Sequence, residues 1–406
     1  MGRDDTAAVM GALSRAGGDD CARFVGGCVR NAMMGREVRD IDIATTLAPD
    51  EVTGALTAAG LKAVPTGVAH GTITAVAGGR PFEITTLRRD VETDGRHARV
   101  EFTDDWAADA GRRDFRLNAL YADPTGRVFD PTGAGIEDVR AGRIIFVGNA
   151  ASRIREDALR ILRFFRFTAW YGRDEPDAAG LAACTELRDL VTGLSAERIG
   201  KEFLTLLAAE DPRPAIGLMA RTGVLCLVLP DIRGLARFET LVEIESAMLF
   251  SEDPLLRLAA LLAGEPAEVQ ATAERLRLSN AERGRLANAL GAEPVLTSWM
   301  SPREMRRHVY RLGTEVFCDR VTLAWAACAR PAAAIQWRAL LPMARTWRPP
   351  KFPLTGEEVV AAGVPRGPMV GAVLRDVESW WVENDFLTDK LSVVERLKAV
   401  AQGMVY

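Results

Sequence analysis

Phe24-Val25-Gly26-Gly27-Cys28-Val29-Arg30 passes from a β-type run through two glycines into a helical stretch, and Arg39-Asp40-Ile41-Asp42-Ile43 follows closely. A strand that enters a helix through a Gly-Gly turn leaves backbone N–H groups facing outward, which suits a triphosphate and also serves as a plain connection. In an extended strand alternate residues share a face. The second stretch therefore predicts Asp40 and Asp42 side by side, Cα atoms roughly 6.6 Å apart, with Ile41 and Ile43 turned to the core. Two carboxylates at that reach suit hard Mg²⁺ ions and leave positions for phosphate oxygens and water. Two solvated aspartates on an edge strand are the plain alternative, but their mutual repulsion is a penalty that a cation removes.

Working outward, further β-type runs stand at residues 71–76, 81–86, 119–122 and 144–147, with helical stretches at 28–34 and 49–59. That alternation predicts an α/β head. From about residue 152 helical spacing dominates, broken by Gly and Pro clusters near 211–214, 264–266 and 348–350, so the remainder is expected to be all helical. If the strand at 81–86 lies beside the Asp42 strand, Glu83 joins the acidic pair, either binding metal or accepting the proton of an attacking hydroxyl. Otherwise Glu83 is an ordinary polar-face residue. Arg112-Arg113-Asp114-Phe115-Arg116-Leu117-Asn118 offers guanidinium forks for phosphate and acceptors for ribose hydroxyls, or else forms a surface salt-bridge cluster.

The stretch from Arg153 to Phe167 reads as one amphipathic helix. At 100° per residue Ala158, Leu162, Phe165 and Ala169 share an apolar face, while Glu156, Arg160 and Arg163 gather opposite with Asp157 at the edge. Glu156 and Arg160 fit a plain i,i+4 pair. Asp157 and Arg160 also present an acceptor and a fork of the kind that reads the edge of a base.

Charge at first argues against a nucleic-acid partner: 51 basic against 55 acidic residues give −4, with a pI near 5.7. Locally the balance differs. Residues 150–173 carry six arginines and two acids, and residues 300–351 carry nine arginines and Lys351 against three acids. These two windows are expected to be basic patches diluted by acidic surface elsewhere. Five lysines among the 51 basic residues leave 46 arginines, a choice that fits either coding bias or phosphate recognition. Six cysteines without a CxxC pair or a secretory leader predict free thiols in a reducing compartment. No apolar run nears the ~18 residues of a membrane span, and the opening Met1-Gly2-Arg3-Asp4-Asp5-Thr6 is read as a chance match to a myristoylation pattern. A soluble, cytoplasmic protein is expected.

In order and spacing, Gly26-Gly27-Cys28-Val29-Arg30, Asp40-Ile41-Asp42, Arg112-Arg113-Asp114-Phe115 and Glu156-Asp157-Ala158-Leu159-Arg160-Ile161-Leu162-Arg163 resemble the class II tRNA nucleotidyltransferases, the CCA-adding enzymes, and their bacterial poly(A) polymerase relatives. The resemblance runs over roughly residues 20 to 210. It implies an α/β nucleotidyltransferase head of the DNA polymerase β superfamily over residues 1–147. A helical neck carrying a nucleotide-base template at 148–210, a helical body at 211–347 and a helical, tRNA-binding tail at 348–406 would follow. It also implies Asp40 and Asp42 as metal ligands, Glu83 as the third acid of the catalytic site, and Gly26, Gly27 and Arg30 in the nucleotide-binding turn. Arg113, Asp114 and Asn118 would hold triphosphate and ribose. Glu156, Asp157 and Arg160 would form the template for the CTP or ATP base, with Arg163 on the same helix.

The implied reaction is in-line attack of the tRNA 3′ hydroxyl on the α-phosphate, with two Mg²⁺ ions and pyrophosphate leaving. Thr93-Asp94-Gly95-Arg96-His97-Ala98-Arg99-Val100 resembles the flexible loop of family members that add the terminal A, and no basic, aromatic run of the poly(A) polymerase branch stands between Val64 and Arg80. Leu194-Ser195-Ala196-Glu197-Arg198-Ile199 with Lys201-Glu202-Phe203 resembles the neck motif, whose role is packing and substrate positioning. Leu354-Thr355-Gly356-Glu357-Glu358, with Gly363, Gly367 and Gly371, resembles the carboxyl-terminal element of bacterial forms. Asn31 departs from the family's usual Asp, and the three histidines form no phosphohydrolase signature. Full CCA addition is the reading. The alternatives are a poly(A) polymerase, an A-only enzyme, or an RNA-binding protein with a retired head.

Overall fold

The computed structural model describes residues 3–94, 97–232, 234–248, 250–328, 331–386 and 389–403. They form two compact units, residues 1–230 with 275–277, and residues 231–274 with 278–406. The four-part division expected from the resemblance places its boundaries at 147 and 210 inside the first unit and at 347 inside the second.

The first unit opens with α1 (Asp4–Gly17), β1 (Ala22–Val25), α2 (Gly27–Met33), β2 (Asp42–Thr45), α3 (Pro49–Ala58), β3 (Lys62–Gly67), β4 (Thr72–Ala77) and β5 (Arg80–Thr86). A hairpin of β6 (Arg88–Asp94) and β7 (His97–Phe102) leads to α4 (Trp106–Gly111), β8 (Tyr121–Ala122), β9 (Val128–Phe129) and α5 (Gly135–Ala141). Seven strands make one sheet in the order β3-β4-β5-β2-β1-β8-β9, and β6-β7 form a separate pair. The loop expected at residues 93–100 is thus the end of a two-stranded hairpin, with Gly95 and Arg96 outside the described residues. Period-two burial orients the sheet: in β4 Ile73, Ala75 and Ala77 are buried while their neighbours are half-exposed. The buried Val9 and Leu13 of α1 and Val52 and Leu56 of α3 belong to helices that pack on each other and on β4.

Two strand expectations need correction. Residues 144–147 are no strand and make only an isolated bridge, Phe115 to Phe146. Their apolar character reflects burial, since the Phe146 ring stacks on Phe164 at 5.7 Å and meets Phe115 at 4.8 Å. The Asp42 strand also starts later than expected: Asp40 and Ile41 precede β2, although Ile41 and Ile43 are buried as predicted.

Helices α6 (Ala150–Glu156), α7 (Leu159–Tyr171), α8 (Ala178–Glu186), α9 (Ala196–Leu207), α10 (Arg213–Arg221) and α11 (Val224–Val228) complete the first unit. The single helix expected across residues 153–167 is therefore two. Asp157 is extended (φ −152°, ψ 106°) between α6 and α7, and its carboxylate accepts the Leu159 N–H at 3.1 Å. That local bond offers the backbone an alternative to continuing the helix.

The second unit is helical: α12 (Ala236–Met248), α13 (Pro254–Leu261), α14 (Pro266–Arg275), α15 (Asn280–Leu290), α16 (Pro302–Leu312), α17 (Thr314–Ala326), α18 (Pro331–Thr346), α19 (Gly356–Ala361), α20 (Pro368–Glu383) and α21 (Lys390–Gly403). Capping boxes start α15, α16 and α19, at Ser279/Glu282, Ser301/Glu304 and Thr355/Glu358. The last three helices share an apolar cluster around Val359, Val377, Trp381 and Leu397, against which Tyr310 and Trp347 pack. Among the described residues no helix is long and apolar enough to cross a membrane.

Candidate active site

The sheet sets the acidic group. β2 runs parallel to β5 with Asp42 opposite Glu83, so Glu83 does stand beside the Asp42 strand. Asp40, though outside the strand, lines the same cleft as Asp42, together with Gly27 and Cys28 at the start of α2, Arg36, and Trp170 near the end of α7. Asp40 and Glu83 are exposed and Asp42 is half-buried. Among the described residues none of the three carboxylates is hydrogen-bonded or ion-paired. Burial, reinforced by Glu83 and Asp40 and opposed by Arg113, pushes the Asp42 carboxyl up to about 6. Among the described residues no set of three His, Cys, Asp or Glu side chains converges tightly enough to hold a metal unaided. The donor set nonetheless fits a hard divalent cation: all oxygen, excess negative charge, and open positions for phosphate and water.

Gly26 sits at φ +70°, ψ −121°, where an L side chain would be strained, so the turn into α2 requires glycine there. Beyond it Arg30 is only 6% exposed. Its guanidinium donates to Asn31 Oδ1 at 3.1 and 2.9 Å, to the Tyr171 hydroxyl at 2.7 Å and to Asn118 Oδ1, and it lies 3.9 Å from the Tyr171 ring centroid. Every one of these acceptors is neutral. Burial lowers the Arg30 guanidinium to about 10. Asn31, where the family's usual Asp is missing, thus serves as a neutral tether for Arg30.

From Asn118 the network continues. Its amide donates to Asp114 Oδ1 at 3.1 Å, and Asp114 Oδ2 takes two N–H groups of Arg163, one at 2.8 Å. Arg163 also lies 3.7 Å from Glu202, which accepts from Arg166 at 2.5 Å. Burial alone would raise the Asp114 carboxyl, but Arg163, with hydrogen bonds from Asn118 and the Phe115 N–H, holds it below the ordinary range. Arg113 is engaged similarly: with Arg112 it clasps Asp109 at 2.7–3.2 Å, and the Tyr121 hydroxyl donates to the same carboxylate at 2.7 Å. Burial opposes ionisation of Asp109, yet Arg113 and Arg112 hold its carboxyl down at about 2. The Arg112–Asn118 segment is thus a buried polar network rather than a surface cluster.

The residues expected to form the template are constrained at the break between α6 and α7. Arg160 donates to Glu156 at 2.6 Å, to the Arg153 carbonyl at 2.8 Å and to the Arg112 carbonyl at 3.1 Å. Asp157 accepts Arg198 Nη2 at 3.0 and 2.7 Å. Asp157 and Arg160 flank a helix break instead of sharing one helix face. The expected basic patch at 150–173 is also largely internal: Arg153, Arg160, Arg163 and Arg166 have carboxylate partners within 3 Å.

Sequence reasoning gave no individual role to Asp109, Tyr121, Trp170, Tyr171, Arg198 or Glu202. Arg198 and Glu202 lie in the neck motif, which was a usable signal, whereas Asp109 and Tyr121 belong to no pattern.

Comparisons with known proteins agree with this architecture. Residues 22–145 match the family described as the Poly A polymerase head domain, and residues 176–235 match the probable RNA and SrmB-binding site of polymerase A. The mitochondrial CCA tRNA nucleotidyltransferase 1 of Mus musculus is 32% identical over 93% of this chain and 86% of its own length. The CCA-adding enzyme of Lactococcus lactis is 29% identical over 93% of both chains.

The chain belongs to the class II CCA-adding enzymes.

The enzyme's fold is similar to that of the Bacillus stearothermophilus CCA-adding enzyme solved with CTP, at a TM-score of 0.78 and 25% identity over 99% of this chain and all of the other. This supports the nucleotidyltransferase head followed by helices that the sequence motifs imply.

Proposed function

We propose that the enzyme adds C, C and A to the 3′ end of tRNA from CTP and ATP, with Asp40 and Asp42 holding divalent metal and pyrophosphate leaving. The observation that carries this reading is the unpartnered acidic group, Asp42 opposite Glu83 with Asp40 in the same cleft. An all-oxygen site suits Mg²⁺. When bound, such ions lower the pKa of the attacking hydroxyl and offset charge on the leaving phosphate. Glu83 is positioned to orient or accept that hydroxyl proton. The Gly26-Gly27 turn and the carboxylate-free Arg30 receive the triphosphate, and the network through Asn118, Asp114, Arg113 and Arg163 fixes its surroundings and the ribose.

Asp157 and Arg160 supply the acceptor and donors that separate cytosine and adenine from uracil and guanine, with Glu156 orienting Arg160. A mispaired buried group costs about 1–3 kcal/mol. The division into head (1–147), neck (148–210), body (211–347) and tRNA-gripping tail (348–406) belongs to the same reading. So does a cytoplasmic site of action.

Incorporation of labelled CTP and ATP into tRNA lacking its last three nucleotides, with the product sequenced and pyrophosphate measured, tests this function. A complete CCA end is expected, and Asp42→Ala should abolish it while tRNA still binds. Turnover by that variant sinks the metal assignment. The head-domain match favours one second reading, poly(A) addition, which ATP alone decides: a long homopolymer supports it, and a single A on tRNA ending in CC opposes it.

A further inference from the structure

Two substrates must meet at Asp40 and Asp42, and α7 carries different chemistry at its two ends. Arg160, beside Asp157, stands at the N-terminal end. Trp170 stands ten residues later, about 15 Å away along the helix axis. Trp170 lines the acidic cleft with Asp40 and Asp42 and is half-buried. Its Nε1–H donates to the Thr205 carbonyl of α9 at 2.7 Å, which pins one edge of the indole. Arg36 lines the same cleft, is exposed, and has no carboxylate partner among the described residues. Its guanidinium lies 5.1 Å from the ring centroid of Tyr171, the next residue.

An immobilised aromatic beside an uncommitted arginine is the chemistry that holds single-stranded nucleic acid, because every base has a π-face and every nucleotide a phosphate. The incoming nucleotide has to be discriminated, which calls for directional donors and acceptors. The terminal residue of the accepting strand is not the same at every addition and has to be tolerated, which calls for stacking. We infer that Trp170 is the stacking platform for the terminal nucleotide of the accepting RNA, with Arg36 facing its phosphate. Both are positioning residues. The inference rests on Asp40 and Asp42 being the reaction centre.

Steady-state incorporation by the full chain, varying truncated tRNA and CTP separately, tests it. Trp170→Ala should raise KM for tRNA by about 5- to 150-fold, the usual range for one lost base stack, and leave KM for CTP within about twofold. Trp170→Phe keeps a face but cannot reach Thr205 with a hydrogen bond, and should restore most of the loss. Arg36→Ala should raise KM for tRNA and flatten its salt dependence. Parallel rises in KM for CTP, a Phe variant no better than Ala, or unchanged KM for tRNA overturns the platform. If Trp170→Ala does not fold, the Phe and Arg36 variants still decide. Asp42→Ala run alongside separates the two failures: an active variant refutes the reaction centre, and an inactive one beside an unaffected Trp170→Ala refutes only the stacking.

Discussion

Asp42 and Asp114 are carboxylates of the same unit withdrawn from water to different purpose. Asp114 is 8% exposed and takes hydrogen bonds from Asn118 and Arg163, so its charge is matched before any substrate arrives. Asp42 is half-buried without a partner, and Asp40 and Glu83 add to its discomfort. One group is saturated and stabilising; the other is left unsaturated, and under the proposed function a cation and a triphosphate would complete it. Buried polar groups ordinarily have partners, and the proposed metal assignment accounts for the exception.

The largest effect expected from this contrast comes from Asp42→Asn. Incorporation should fall to background while stability moves the opposite way. The Asp42 carboxyl is raised from 3.8 to about 6 in the folded protein. Below pH 4 both folded and unfolded forms are protonated and no penalty exists. Between about pH 4 and 6 the unfolded chain ionises while the folded protein still holds its proton, so that share of stability falls as pH rises and is fully lost above about 6. In chelator, Asp42→Asn should therefore melt above the wild type at pH 7, and the gap should close near pH 4. Added Mg²⁺ should raise the wild-type melting temperature and leave the variant unmoved. A variant that melts below the wild type at pH 7 in chelator contradicts the account of an unsaturated acid.

Asp114→Ala should do the reverse. It strands Arg163 and Asn118, and breaking a buried pair costs about 3–5 kcal/mol. Since Arg163 keeps Glu202 and is 30% exposed, the lower end applies, a fall of about 6–12 °C in the melting temperature of the first unit. A melting temperature within 2 °C of the wild type would show that the network is not saturated. Asp109 shares the sign of Asp114: its carboxyl is held at about 2, so its contribution is present above pH 4 and lost as pH falls towards 2. Asp109→Asn should accordingly lower the melting temperature at pH 7, with the loss shrinking through that acid range in thermal scans.

The two kinds of acid were unequally legible. Asp40, Asp42 and Glu83 were legible as an acidic group because they sit in short, spaced motifs, and the parallel register of β2 and β5 puts Glu83 beside Asp42 as expected. Asp109, Tyr121 and Tyr171 were not, because saturation is a matter of partners from distant segments: Tyr171 meets Arg30 across 141 positions, and no local spacing encodes that. The helix break at Asp157 was hidden for a related reason. Apolar periodicity runs straight through it, and the deciding event is one side-chain bond to the Leu159 N–H. The run from Ile144 to Val147 misled in the other direction, since an unbroken apolar run reports burial, and here the buried surface of Phe146 belongs to an aromatic cluster, not a sheet.

Asp157 stands between the two cases, and Arg198→Ala gives the smallest and finest test. The ion pair of Asp157 with Arg198 leaves both side chains about 30% exposed, so it contributes within about 1 kcal/mol to stability, less than about 4 °C in melting temperature. If the pair were merely structural, nothing else would change. As a template acceptor, however, Asp157 depends on Arg198 for its orientation, because among the described residues the one other group its carboxylate accepts from is the Leu159 N–H. Loss of Arg198 should therefore raise KM for CTP and ATP about three- to tenfold and narrow discrimination against UTP, with KM for tRNA unchanged. Arg198→Lys should recover stability more fully than selectivity, since an ammonium replaces the charge but not the planar fork. Unaltered nucleotide KM values beside a melting temperature lowered by more than 4 °C would move Asp157 into the saturated class with Asp114.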